Sequence, residues 1–193
     1  MSGPDPVALG PPSGRALAAL AALAVSDLVL AWCMTMLFLA MRGVMDLGGF
    51  VAVGGPYEIA HPAPGWVWVM PVSILLGLAA VWGNAAAASH ARGFSLAGLA
   101  WPALFLSLGW NFLEYGVHPP GGGGISFAWL LCAVLFFLMG APVLYFVGKA
   151  MPTAVRGESD EPRRPWRSYV ARNIVAVAAG IVGGWASFSA LSG

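Results

Sequence analysis

Five long apolar runs, separated by short stretches of Gly, Pro and charge, set the pattern of this chain. They extend from Ala16 to Met41, Trp66 to Ser89, Ser95 to Val117, Ile125 to Gly148, and Asn173 to Leu191. About 20 predominantly apolar residues are needed for a helix to cross a hydrocarbon core of about 30 Å, so each run predicts one membrane-spanning helix. The first run abuts Arg15 and ends at Arg42. It is far longer than the apolar core of a secretory signal, about 7 to 15 residues, and therefore reads as a retained span. Pro71, Pro102 and Pro142 fall inside runs. Bilayer helices tolerate proline because neighbouring groups re-satisfy the freed carbonyl, so these positions predict kinks rather than breaks. Residues 1–14, rich in Pro and Gly and without apolar period, predict a disordered tail. The expected fold class is an all-α membrane protein: one polytopic domain over residues 15–193, a bundle of five transmembrane helices over 16–41, 66–89, 95–117, 125–148 and 173–191.

Basic residues near span ends orient such a bundle. With five spans, Arg15, Arg92, Lys149, Arg156, Arg163, Arg164, Arg167 and Arg172 fall on one side and Arg42 alone on the other. The N-terminus is therefore expected in the cytoplasm and the C-terminus outside, in a multi-pass protein of the plasma (inner) membrane. The first outer loop carries a semi-apolar patch, Leu47 to Val53, too short to span. It leaves open whether residues 43–58 re-enter the membrane, which backbone does only where protein or water covers it.

Composition agrees with a bilayer as solvent. The 193 residues are 59% hydrophobic and 9% charged, against about 25% charged in soluble domains. A net charge of +1 offers no basic patch for nucleic acid. Cys33 and Cys132 lie inside apolar runs and form no CxxC pair, so both read as small apolar residues. P-loop, nucleophile-elbow, HExxH and redox CxxC motifs are absent from the sequence.

Two Glu/His pairs carry most of the remaining chemistry. Glu58 and His61 are three residues apart in the loop before the second run; Glu114 and His118 are four apart at the end of the third. All four would emerge on the outer side, where carboxylates and imidazoles suit a transition metal and His61 with His118 would suit a haem. The blander expectation is two solvated polar ends, with Glu114 paired to His118 or to Arg42. Asp27 lies 11 residues into the first run, about 16 Å along a helix and so near the midplane. Acids at that depth cost about 2.5 to 3.5 kcal/mol and usually face the bundle interior, marking ion or proton paths or serving packing through a hydrogen bond. Asn84 and Asn111 are candidate partners, although both are expected off its depth. Arg163, Arg164 and Arg167 flank Trp166 on the inner side, where they would meet anionic lipid or a cytoplasmic partner. Gly180 and Gly184 form a GxxxG pair in the last run, flat enough for a helix of this chain or of another membrane subunit.

Three functions are compatible with these features. Small size, the GxxxG face and the lack of a catalytic motif point first to an accessory or assembly subunit of a larger membrane complex. An outer Glu/His site would instead make a metal- or haem-binding membrane protein or enzyme. An intramembrane Asp27 would serve a small transporter or substrate-capture component.

Overall fold

A computed structural model describes residues 13–47, 64–91, 95–119, 124–156 and 170–193. They form five α-helices: α1, Gly14–Asp46; α2, Val69–Ala91; α3, Ala97–Val117; α4, Phe127–Arg156; and α5, Val170–Ser192. The expected tail at residues 1–12, the re-entry of residues 48–58, and the inner-face arginines Arg163, Arg164 and Arg167 lie outside the described residues.

Four helical stretches are long and apolar enough to cross a membrane: α1, α2, Phe127–Lys149 within α4, and α5. α3 does not reach that apolarity, because it carries Pro102, Asn111 and Glu114 among its 21 residues.

Helix ends depart from the apolar runs where local chemistry prolongs or delays them. Ser13 starts α1 early by accepting the Ala16 N–H at 3.3 Å with its hydroxyl, as an N-cap does. α1 also continues beyond Arg42, because that charge and Asp46 find partners on α3. α2 begins three residues later than the run that opens at Trp66. Pro71 consequently falls in its first turn, where no N–H is required and no kink is imposed. Pro102 and Pro142 lie in uninterrupted helix.

α1 is the centre of the bundle, packed along α5 on one side and α2 on another, while α4 packs on α3. Leu20 meets Ala91, Leu23 meets Ala87 and Ala88, and Asp27 meets Asn84, so α2 runs opposite to α1. Gly180 lies against Leu28, Gly184 against Thr35, and Phe188 near Gly43, so α5 runs with α1. Asn111 reaches Phe38, and Glu114 reaches Arg42, which sets α3 parallel to α1 as well. Gly109 faces Phe137 and Gly116 faces Leu130, which makes α4 antiparallel to α3.

Missing side chains make the closest of these contacts possible. A Cβ at Gly180 would stand 2.3 Å from the Leu28 carbonyl oxygen, and one at Gly184 would stand 2.9 Å from that of Trp32. The GxxxG face therefore serves the α1–α5 seam inside this chain. Trp32 adds a bond across it, its indole N–H donating to Ser187 Oγ at 3.1 Å. At the Asp46 end, Trp66 wedges between Gly43 and Phe188; its ring meets that of Phe188 edge-on at 5.1 Å. The outward surface is strongly apolar, with Phe127 81% and Trp82 78% exposed, as lipid contact requires.

Candidate functional site

Asp27 is 1% exposed and sits where α1, α2 and α3 converge. Asn84 on α2 donates its amide Nδ2 to Asp27 Oδ1 at 2.5 Å and to Ser26 Oγ at 3.0 Å. Ser26 donates its hydroxyl to the Leu23 carbonyl at 2.9 Å, and Ser95 donates to Asn84 Oδ1 at 2.7 Å. Ser95 in turn accepts the Ala97 N–H at 3.1 Å and so starts α3. One buried chain of hydrogen bonds thus joins three helices, and Asn84 occupies all its polar atoms within it.

The depth relations differ from those expected. Leu20 is level with Ala91, the last residue of α2, so α1 overhangs its neighbours at this end. Asp27 consequently stands about two turns inward from the end of α2 and beside the beginning of α3. The same overhang brings Asn84 level with it. Asn111 is far along α1, donating to the Phe38 carbonyl at 3.2 Å.

Asp27 also belongs to the wall of an open cleft of about 740 Å³ bounded by α1, α3 and α5. Leu99, Ala103, Phe38, Ile181 and Trp185 supply much of its lining. Thr35 and Ser107 also reach it, but their hydroxyls are bonded to Ala31 O at 2.8 Å and Leu104 O at 2.9 Å within their own helices. Each hydroxyl thus spends its proton within its own helix and keeps only acceptor lone pairs. Asp27 Oδ2 is buried without any partner, the condition that most strongly favours an added hydrogen bond. Arg172, near the start of α5, has its Nε and Nη2 buried and unpartnered. Arg172 and Asp27 make no ion pair among the described residues, where Arg42–Glu114 alone forms one.

At the opposite end, Glu114 receives both Nη atoms of Arg42, each at 2.6 Å, in a bidentate pair. The guanidinium also lies 5.5 Å from the Tyr115 ring centre, and Tyr115 donates its hydroxyl to Asp46. This clasp ties α1 to α3 beyond the cleft. His118 ends α3, its backbone N–H donating to the Glu114 carbonyl at 2.7 Å.

The candidate residues therefore separate. Asp27 and Asn84 come together, Asn111 stands apart, and Gly180 and Gly184 line the α5 seam. Glu114 has both oxygens engaged by Arg42, the pairing that was one of its expected partners. Glu58 and His61 lie outside the described residues, and among the described residues no three His, Cys, Asp or Glu side chains gather as a metal site would need. Sequence reasoning passed over Ser26, Ser95 and Arg172. Ser26 had a signal, its adjacency to Asp27; the other two are brought in only by helix packing. Tyr115–Asp46 was likewise missed, because neither residue is unusual at a helix end. Comparison of the chain with protein-family models, curated proteins and solved structures finds no match.

Proposed function

We propose that this chain is a five-span protein of the plasma membrane, N-terminus cytoplasmic and C-terminus outside, that captures a lipid-soluble small molecule in the α1–α3–α5 cleft. It acts as a substrate-capture or transport component, with Asp27 as the polar contact. The observation that carries this reading is the junction of an open apolar cleft with a buried acid whose second oxygen is unpartnered. A volume of about 740 Å³ falls among small-molecule sites, roughly 300 to 1,000 Å³, which are mostly apolar with few polar groups.

Helix direction supports the five-span topology. α1, α3 and α5 run one way and α2 and α4 the other, as successive spans do. Among the polar groups that make α3 less apolar, Glu114 is engaged by Arg42 through both oxygens, which removes much of its cost in a bilayer; Asn111 donates to the Phe38 carbonyl while its Oδ1 is buried without a partner. The strong bias of basic residues to one side supports the orientation. On that side Arg163, Arg164 and Arg167 would meet anionic lipid.

Ala103→Phe tests the function, because position 103 lines the cleft and its side chain is exposed. The unsubstituted full chain, purified in mild detergent, should carry a lipid-soluble small molecule detectable by mass spectrometry of its organic extract, and the variant should not. Equal recovery from both would remove the cleft from the account. Co-purification of other membrane subunits with both would favour an assembly role instead.

A further inference from the structure

α3 and α4 form one unit. Gly109 faces Phe137, Gly140 faces Leu106 and Gly116 faces Leu130, so side chains of each helix sit against bare backbone of the other. Phe105, Phe136, Phe112 and Trp129 follow one another along this seam with ring centres 5.6, 5.0 and 5.7 Å apart. Trp101 adds a bond across it, donating its indole N–H to the Met139 carbonyl at 3.3 Å. Helices interlocked in this way move together, because displacing one would open voids along the seam. α1, α2 and α5 form a second unit, through the Gly180–Gly184 face and the packing of Leu23 on Ala87 and Ala88. Packing of α3 on α1 or α2 is far less extensive.

The polar bonds between the two units gather toward the ends of α3. At its start Ser95 donates to Asn84 Oδ1 at 2.7 Å, and Asn84, fully buried, is itself held to Ser26 and Asp27. Ser95 is also only four positions from Ala91, the last residue of α2, so the backbone ties the units together there. At the other end Arg42 meets Glu114 through two bonds of 2.6 Å, and Tyr115 donates to Asp46. That ion pair is 34% and 37% exposed, so water can take the place of each partner. Between the ends lies the cleft, whose α1 wall stops at Leu39, within one turn of Arg42. Asn111 bridges α3 to the Phe38 carbonyl but leaves its own Oδ1 buried without a partner, a cost that is relieved wherever that oxygen gains a donor.

We propose that the α3–α4 hairpin pivots as one body about the Asn84–Ser95 junction, and that the Arg42–Glu114 and Tyr115–Asp46 bonds are the latch that sets the width of the cleft. From Ser95 to Glu114 the arm is about 28 Å long, so a tilt of about 10° carries the latch end about 5 Å and the junction hardly at all. Release widens the cleft beside Phe38, Ser107 and Trp185, the part of its wall nearest the latch. This goes beyond capture in the cleft, since it gives the cleft an entrance that opens and closes, and it needs no occupant. In the proposed topology that entrance faces the outer leaflet.

Paired nitroxides read the motion by double electron–electron resonance, in the full chain in phosphatidylcholine vesicles with Cys33 and Cys132 replaced by Ala. Phe127→Cys with Leu191→Cys spans the latch end, His90→Cys with Lys149→Cys spans the junction end, and Leu75→Cys with Leu191→Cys lies within the α1–α2–α5 unit; all five positions are exposed. Glu114→Gln should add a population about 5 Å longer at the first pair, as the tilt requires. Glu114→Gln with Tyr115→Phe should make that population the major one, while the other two pairs stay close to their parent distances. Exchanging the charges, Arg42→Glu with Glu114→Arg, should return the parent distribution. If the double variant does not fold, Tyr115→Phe alone, the loss of one hydroxyl, should still show the longer population. An unchanged first pair in every variant overturns the latch. Equal lengthening of the first two pairs overturns the pivot, and lengthening of the third overturns both, since the whole bundle would then have loosened. No ligand is added, so the result is independent of whether the cleft captures a small molecule.

Discussion

Asp27→Asn and Asp27→Leu separate hydrogen bonding from charge and bulk at the buried network. The amide keeps an oxygen for Asn84 Nδ2, so Asp27→Asn should remain within about 1 kcal/mol of the parent in unfolding. Asp27→Leu withdraws that acceptor and should cost about 1–3 kcal/mol, the penalty for stranding a buried polar group. Thermal unfolding in one detergent compares the two. A second prediction concerns Arg42 and Glu114, whose side chains are 34% and 37% exposed. Despite bidentate geometry, solvent screening should hold their coupling to about 0–1 kcal/mol in a double-mutant cycle with Arg42→Ala and Glu114→Ala. Asp27 was legible, since a lone acid in an apolar run must find cover and it does so; Ser95 and Arg172 were not, because only helix packing brings them near it. What the sequence could not supply was its level in the bundle, because run boundaries do not reveal that α1 overhangs α2.

Among the helices, α5 offers the sharpest contrast between adjacent positions. A methyl at Gly180 would meet the Leu28 carbonyl oxygen at 2.3 Å, whereas one at Gly183 would lie 3.6 Å from Trp32 Cδ1. Gly180→Ala should therefore push α5 off α1 and cost about 1–3 kcal/mol or more, since backbone cannot yield as a flexible side chain does. Gly183→Ala should be neutral or stabilising by up to about 1 kcal/mol from helix propensity. Their relative unfolding temperatures check the pair, and equal effects would contradict the packing of this seam. Each apolar run contains one of the five helices, and four of those helices are long and apolar enough to cross a membrane. Run ends were less informative. Arg42 looked like a stop, yet α1 continues to Asp46, since Glu114 and Tyr115 on another helix receive its polar side chains.

At the scale of the whole molecule, the proposed topology predicts that a cysteine placed at Gly122 reacts with an impermeant maleimide from outside intact cells and one placed at Glu158 does not. The reverse pattern would invert the orientation. The cleft itself was not legible in the sequence, because its walls come from three helices far apart in the chain. Leu99, Ala103 and Ile181 look like ordinary lipid-facing or core residues until α3 and α5 are set side by side on α1. Its accessibility is consequently the most direct test of the account. A nitroxide attached at Ala103→Cys, in a chain with Cys33 and Cys132 replaced by Ala, reports collisions with oxygen from the lipid phase and with a water-soluble nickel chelate. For the full chain in bilayers stripped of co-purifying small molecules, the account predicts high oxygen and low nickel accessibility at this apolar cleft. Low accessibility to both would mean that α3 and α5 close on each other, contradicting a cleft open to the bilayer.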